Sequence, residues 1–135
     1  MKEMTPYLTF NGNCREAMAF YADTLGAKLD VMTFADAKVP CPAGSEGRVM
    51  HARLTVGRLT LMASDSMPQM PFHQGNNFSI SLNCSDAAEA DRVFDVLGAT
   101  GQTQTPLKET FFAARFGMLT DRFGVQWMIN LERGA

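Results

Sequence analysis

MAFYADTLGA, residues 18–27, and ADRVFDVLGA, residues 90–99, are two versions of one pattern. Met18, Tyr21, Ala22, Leu25, Gly26 and Ala27 recur seventy-two positions later as Ala90, Val93, Phe94, Leu97, Gly98 and Ala99. Apolar residues at i, i+3, i+4 and i+7 draw one stripe down a helix, and the glycine supplies a left-handed stop. The match runs backwards, because Leu8 and Phe10 correspond at the same offset to Ile80 and Leu82. It also runs forwards, since each copy later reaches a glycine between two strand-like runs, Gly57 and Gly124. Each copy therefore reads strand, helix, then three strands. A repeat of this length decides the fold before any single residue does.

The elements follow from local signals. Tyr7 to Phe10 alternates as a half-buried strand does. Asn13 with Glu16 three residues on has the form of a capping box, and the helix runs to Leu25 before Gly26. Ala27 to Phe34 is a predicted strand, and Ala35 to Gly47, with two prolines and two glycines, a loop. Arg48 to Val56 and Arg58 to Ala63 form a hairpin about Gly57. Ser64 to Gly75 is read as a linker. Asn77 to Asn83 alternates again, Asp86 caps with Glu89 behind it, and the second helix reaches Leu97 before Gly98. Thr100 to Leu107, Ala113 to Thr120 and Val125 to Leu131 are the closing strands, the last two turning at Asp121 to Gly124. The expectation is an α+β protein of tandem βαβββ units, about 5–63 and 76–132, joined by a linker over 64–75 within a single domain, 1–135.

Composition narrows the functions. A chain of 135 residues, 46% hydrophobic, carries one proper core. Twelve basic residues against 14 acidic ones, with no basic cluster, exclude a nucleic-acid partner. No apolar run approaches the roughly 20 residues that cross a bilayer, and Met1 to Pro6 lacks a secretory stretch, so a cytoplasmic location is expected. Cys14, Cys41 and Cys84, an odd number without CxxC spacing, read as reduced thiols.

On the first strand of each copy, residues in phase with Leu8 and Ile80 face the helix. Tyr7 and Thr9, and then Asn77, Ser79 and Ser81, face the other way. Two such sheets side by side would form one curved mixed sheet around a cavity lined by these groups, and such seams commonly take ligands. The plain alternative is a wet outer face, as antiparallel sheets often have.

The paired units, the opening PYLTFNGNCREAMAFYADTLGA (6–27), the segment HARLTVGRLTLMASD (51–65) and the ending FGMLTDRFGVQWMIN (116–130) resemble the vicinal oxygen chelate superfamily. Within it the chain is similar to the PhnB-like branch, often labelled 3-demethylubiquinone methyltransferase-like. The superfamily includes glyoxalase I, extradiol dioxygenases, fosfomycin-resistance enzymes and bleomycin-binding proteins, so the fold leaves the activity open. In its metalloenzymes, His, Gln or Glu side chains from the first and fourth strands of each unit hold a divalent cation. The resemblance puts those places near Tyr7, Leu61, Asn77 and Met128, where no imidazole or carboxylate stands within two residues. Phenol, alkyl, amide and thioether groups do not suit Zn, Ni, Mn or Fe, so no metal and no cofactor is expected. Gln126 and nearby asparagines offer only amide oxygens, too weak a set without a charged ligand. The methyltransferase label also finds no glycine-rich strand-to-helix turn, since Leu97 to Gly101 ends a helix.

Other side chains carry possible chemistry. His51 matches a histidine in the superfamily's HA segment and is a ligand contact or a proton acceptor, or else a sheet-edge histidine. Glu109 with Phe111 and Phe112 lies in KETFFAARFG (108–117), which resembles an ETFWA segment. A carboxylate against aromatic surface is raised in pKa, whereas a solvated one is not. Arg115 is placed to meet a ligand carboxylate or to pair with Glu109. Trp127, in phase with Val125 and Ile129, belongs to the core. Cys14 and Cys84 flank helix starts, which favour a thiolate, yet buried inert thiols are the commoner case. His73 lies in the linker. Ten methionines suit an adaptable apolar surface or an irregular core.

The reading that results is a small-molecule binding protein, a homodimer by family resemblance, without the superfamily's metal ligands. Its ligand-binding residues are Tyr7, Thr9, His51, Leu61, Asn77, Glu109, Phe111, Arg115 and Met128. The alternatives are a divalent-metal-dependent glyoxalase- or dioxygenase-type enzyme and a structural homodimer with no ligand.

Overall fold

The computed structural model describes Met1–Gly134. The chain divides into two compact units, Met1–His73 and Gln74–Ala135. The first holds β1 (Tyr7–Phe10), α1 (Cys14–Leu25), β2 (Lys28–Thr33), α2 (Phe34–Ala37), β3 (Val49–Val56) and β4 (Leu59–Asp65). The second holds β5 (Ile80–Asn83), α3 (Ala87–Gly98), β6 (Gln102–Lys108), β7 (Arg115–Thr120) and β8 (Gln126–Leu131).

Each unit is a four-stranded mixed sheet with its long helix on one face. The strand orders are β1-β4-β3-β2 and β5-β8-β7-β6, with the first strand parallel to the fourth and the other neighbours antiparallel. The α+β class and the tandem βαβββ order are those expected from the repeat.

The stripe of α1 buries Cys14, Ala17, Met18, Tyr21 and Ala22, and that of α3 buries Ala90, Val93, Phe94 and Leu97. Alternation then selects their partners on the sheets: Leu8, Phe10, Ala52, Leu54, Leu61 and Ala63 in the first unit, and Leu119, Trp127, Ile129 and Leu131 in the second. Close approach is required at Gly117 of β7, where an added Cβ would stand 2.6 Å from Phe94 Cε2 and 2.9 Å from Leu107 Cα.

Several local expectations change. The Asn13 side chain does not cap α1. Asp65, at the far end of β4, does so instead: its Oδ1 accepts from Gly12 N at 2.9 Å and Cys14 N at 3.0 Å, and its Oδ2 accepts from Val49 N at 2.9 Å. Its three donors are Gly12 N, the first helical N–H at Cys14 and Val49 N of β3, so this carboxylate ties the helix start to two strands. Gly26, at φ 64°, closes α1 as expected, but α3 extends through Gly98 to a right-handed Ala99, whose N–H reaches Asp95 O. The loop after β2 begins with a helical turn, because Thr33 and Asp36 form a reciprocal capping box. In α3, Asp86 accepts from Glu89 N as expected, while Glu89 Oε1 accepts from Ser85 N, one residue before the cap.

The hairpins behave as their turn residues dictate. Gly57, at φ 57°, makes the two-residue turn between Val56 and Leu59, which face each other in register. Between β7 and β8, Asp121 Oδ1 accepts from Phe123 N and Val125 N, and Gly124 adopts φ 84°. Asp121 Oδ2 accepts from Trp127 Nε1 at 2.8 Å, so one buried carboxylate holds both the turn and the indole.

Candidate functional site

The face of the first sheet turned away from α1 is built by period two. Tyr7 and Thr9 lie on β1, Thr60, Met62 and Ser64 on β4, His51, Arg53 and Thr55 on β3, and Lys28, Asp30 and Met32 on β2. Register sets their neighbours: Tyr7 is opposite Met62, Met62 opposite Arg53, and Arg53 opposite Asp30. His51 stands opposite Met32.

Across this face the Tyr7 hydroxyl meets His51 Nδ1 at 3.1 Å, and the two rings lie 5.8 Å apart at a tilt of 34°. The bond spans β4, which lies between β1 and β3. When the phenol donates to Nδ1, the imidazole carries its proton on Nε2, leaving a donor for another molecule. Tyr7 keeps half its surface exposed, with the Met62 thioether opposite it on β4, while Met32 stands opposite His51 on β2. Asp30 is engaged by Lys28 at 3.8 Å. This face can therefore offer an aromatic ring, thioethers and hydrogen-bonding groups together.

The other residues singled out in the sequence scatter. Leu61 faces α1 in the core, opposite Leu54, and the thioether on the outward face is its neighbour Met62. Met128 is on the corresponding face of the second sheet, beside Ser81 and Met118. Asn77 precedes β5 and is exposed. Arg115 is drawn to the helix side, 3.3 Å from Asp91 of α3, and does not pair with Glu109. Glu109 instead meets Arg133 at 3.1 Å, an exposed ion pair, and Arg133 also donates to Thr110 O. Phe111 projects almost fully exposed from a turn in which Thr110 Oγ1 accepts from Phe112 N and Ala113 N. Phe111, Phe112 and Phe116 stack edge to face at about 5 Å. Arg53, Met62 and Met32 were not singled out, although the two-residue step from His51 to Arg53 was available in the sequence.

The helix-start cysteines are inert, as buried thiols are. Burial, and then the Asp65 carboxylate, push the Cys14 thiol up to about 12 against a partial offset from Arg15. Burial, Glu89 and Asp86 raise Cys84 to about 11, partly offset by Arg92. Among the described residues no three His, Cys, Asp or Glu side chains gather as a metal-holding group. Among them also, no helix is long and apolar enough to cross a membrane.

Comparison with known proteins agrees with this architecture. A family model described as 3-demethylubiquinone-9 3-methyltransferase matches residues 2–130. Protein YjdN of Escherichia coli is 37% identical, with 96% of this chain and 95% of that protein covered. The crystal structure of protein PA1353 from Pseudomonas aeruginosa is 50% identical, covers 98% of each chain and superposes with a TM-score of 0.90. A putative 3-demethylubiquinone-9 3-methyltransferase, PhnB protein, from Bacillus cereus is 30% identical over 96% of this chain and 99% of its own, with a TM-score of 0.80. At 14% identity and a TM-score of 0.66, a glyoxalase/bleomycin resistance protein/dioxygenase family enzyme from Burkholderia phytofirmans shares the fold, over 95% of this chain and 96% of its own.

Proposed function

The chain belongs to the PhnB-like family described as 3-demethylubiquinone-9 3-methyltransferase, on a glyoxalase/bleomycin resistance/dioxygenase fold, and from that premise we propose that it is a small-molecule binding protein. The observation that carries this reading is the Tyr7–His51 hydrogen bond on the sheet face away from α1. Two polar aromatic side chains from different strands, neither in the core, meet on the outward face with Met62 opposite Tyr7, and both remain accessible. That combination suits a small, partly hydrophobic molecule with a polar group.

The donor set does not fit the metal chemistry known on this fold. At the positions that the resemblance assigns to ligands stand Tyr7, Asn77 and Met128, together with Leu61, whose side chain is in the core. None supplies imidazole, carboxylate or thiolate. The methyl-transfer description fits no better, since residues 97–101 close α3 and open no helix. We propose a homodimer in the cytoplasm as its setting, on family resemblance and on thiols read as reduced.

The test is metal analysis of protein purified without chelator, followed by thermal shifts against Zn, Ni, Mn and Mg salts and against a panel of small apolar molecules. The expected result is no stoichiometric metal, and stabilisation by organic molecules that falls in Tyr7→Ala and His51→Ala with the melting curve otherwise intact. A stoichiometric metal, or organic stabilisation indifferent to both substitutions, overturns the reading. Light scattering tests the dimer.

A further inference from the structure

On that binding face, and resting on the reading just given, we propose that the ligand carries a carboxylate and that Arg53 recognises it. Arg53 is exposed near the middle of the face, two residues along β3 from His51. It shares a cross-strand row with Met62 and Tyr7. Arg48 is tied to Ser66 O, Arg115 to Asp91 and Arg133 to Glu109. The Arg53 guanidinium, like those of Arg15 and Arg58, has no hydrogen bond or ion pair among the described residues, and of these three it alone stands on the face that carries Tyr7 and His51. Its cross-strand neighbour Asp30 supplies none, because that carboxylate is turned to Lys28.

A guanidinium one strand beyond Met62 from a half-exposed phenol gives the face a cation at one end of the row and an aromatic ring at the other. Its planar fork matches a carboxylate in bidentate geometry. From β1 to β3 is two strand spacings, about 9.5 Å. An apolar body lying over Met62 between Tyr7 and Arg53 has about that reach when it is one ring with a short acid chain. The ring then contacts Tyr7 and the thioether, while the acid group meets Arg53.

The experiment is an amide chemical-shift titration of the full chain with phenylpropionate and with its neutral analogue phenylpropionamide. Both probes are expected to shift residues of β1, β3 and β4, with the acid bound about fivefold more tightly, the upper end of what an exposed ion pair supplies. Arg53→Gln brings the acid's affinity down to that of the amide, and Arg53→Lys keeps part of the preference. Circular dichroism checks that both variants fold, as an exposed site should allow. Equal affinities in the unaltered chain overturn the role of Arg53 and leave the binding face standing, as does a preference that survives in Arg53→Gln. If neither probe shifts this face, both the arginine and the binding reading fall.

Discussion

Replacing Asp65 by Ala should unfold the first unit far more readily than any change at Asn13. Asp65 is buried and its two oxygens serve three backbone donors: Gly12 N, Cys14 N and Val49 N. A buried N–H left without a partner costs roughly 1–3 kcal/mol. The bonds to Cys14 and Val49 are buried, while that to Gly12 is part-buried and open to replacement by water. Counting two orphaned donors at ~1.5–2 kcal/mol each gives a loss of about 3–4 kcal/mol. Asp65→Asn keeps one acceptor oxygen for Gly12 and Cys14 but turns an amide N–H against Val49 N, for about 2 kcal/mol. Asn13→Ala, which removes no side-chain cap, should stay within about 0.5 kcal/mol. Urea unfolding followed by far-ultraviolet circular dichroism reads all three, since the single tryptophan, Trp127, belongs to the other unit. An Asp65→Ala loss below about 1 kcal/mol, or an Asn13→Ala loss equal to it, would refute this account of the helix start.

The cysteines predict a second result. With Cys14 at about 12 and Cys84 at about 11, a thiol-disulfide exchange reagent at pH 8 should titrate Cys41 alone in the native protein and all three thiols in denaturant. A second fast thiol in the native state would contradict the burial. Both pKa values lie above the ordinary 9.0, so the folded state favours the protonated thiols. Their contribution to stability is complete below pH 9 and is lost as pH rises through 11 and 12, which a falling melting temperature over that window would register. Asp121→Ala should release Trp127 Nε1 along with the turn N–H groups, costing about 3 kcal/mol and moving the tryptophan emission to the red. Unchanged emission and melting would show that the indole does not depend on that carboxylate.

What could be read from the chain was what neighbours in sequence decide. The helix stripes, the left-handed Gly26 and the turn at Gly57 each depend on residues a few positions apart, so the βαβββ order was legible from pattern alone. Trp127 was rightly assigned to the core from the phase of Val125 and Ile129, but its bond to Asp121 depends on a turn folding back. The errors lie where partners are distant. Asn13 looked like a cap because Asp65 is far along the chain, and Arg115 found Asp91 because α3 packs against β7. Leu61 was one residue out of phase: counting along β4 does not reveal which parity faces α1 until pairing with β3 fixes it. Tyr7 and His51 were each singled out, yet their contact follows only from the strand order, which brings β1 and β3 to either side of β4.

The reach from Asp65 back to Cys14 also sets an order of events during synthesis. The two residues are 51 positions apart, so at roughly 5–20 residues per second the first turn of α1 leaves the ribosome some 3–10 s before the group that completes it exists. During that interval the helix has its apolar stripe and its glycine stop but an open amino end, held neither by Asn13 nor by a sheet. The arrival of β4 supplies the parallel partner of β1 and the missing acceptor in one step. The acceptor for the start of α1 and the parallel partner of β1 thus both come from the last strand of the first unit to be made.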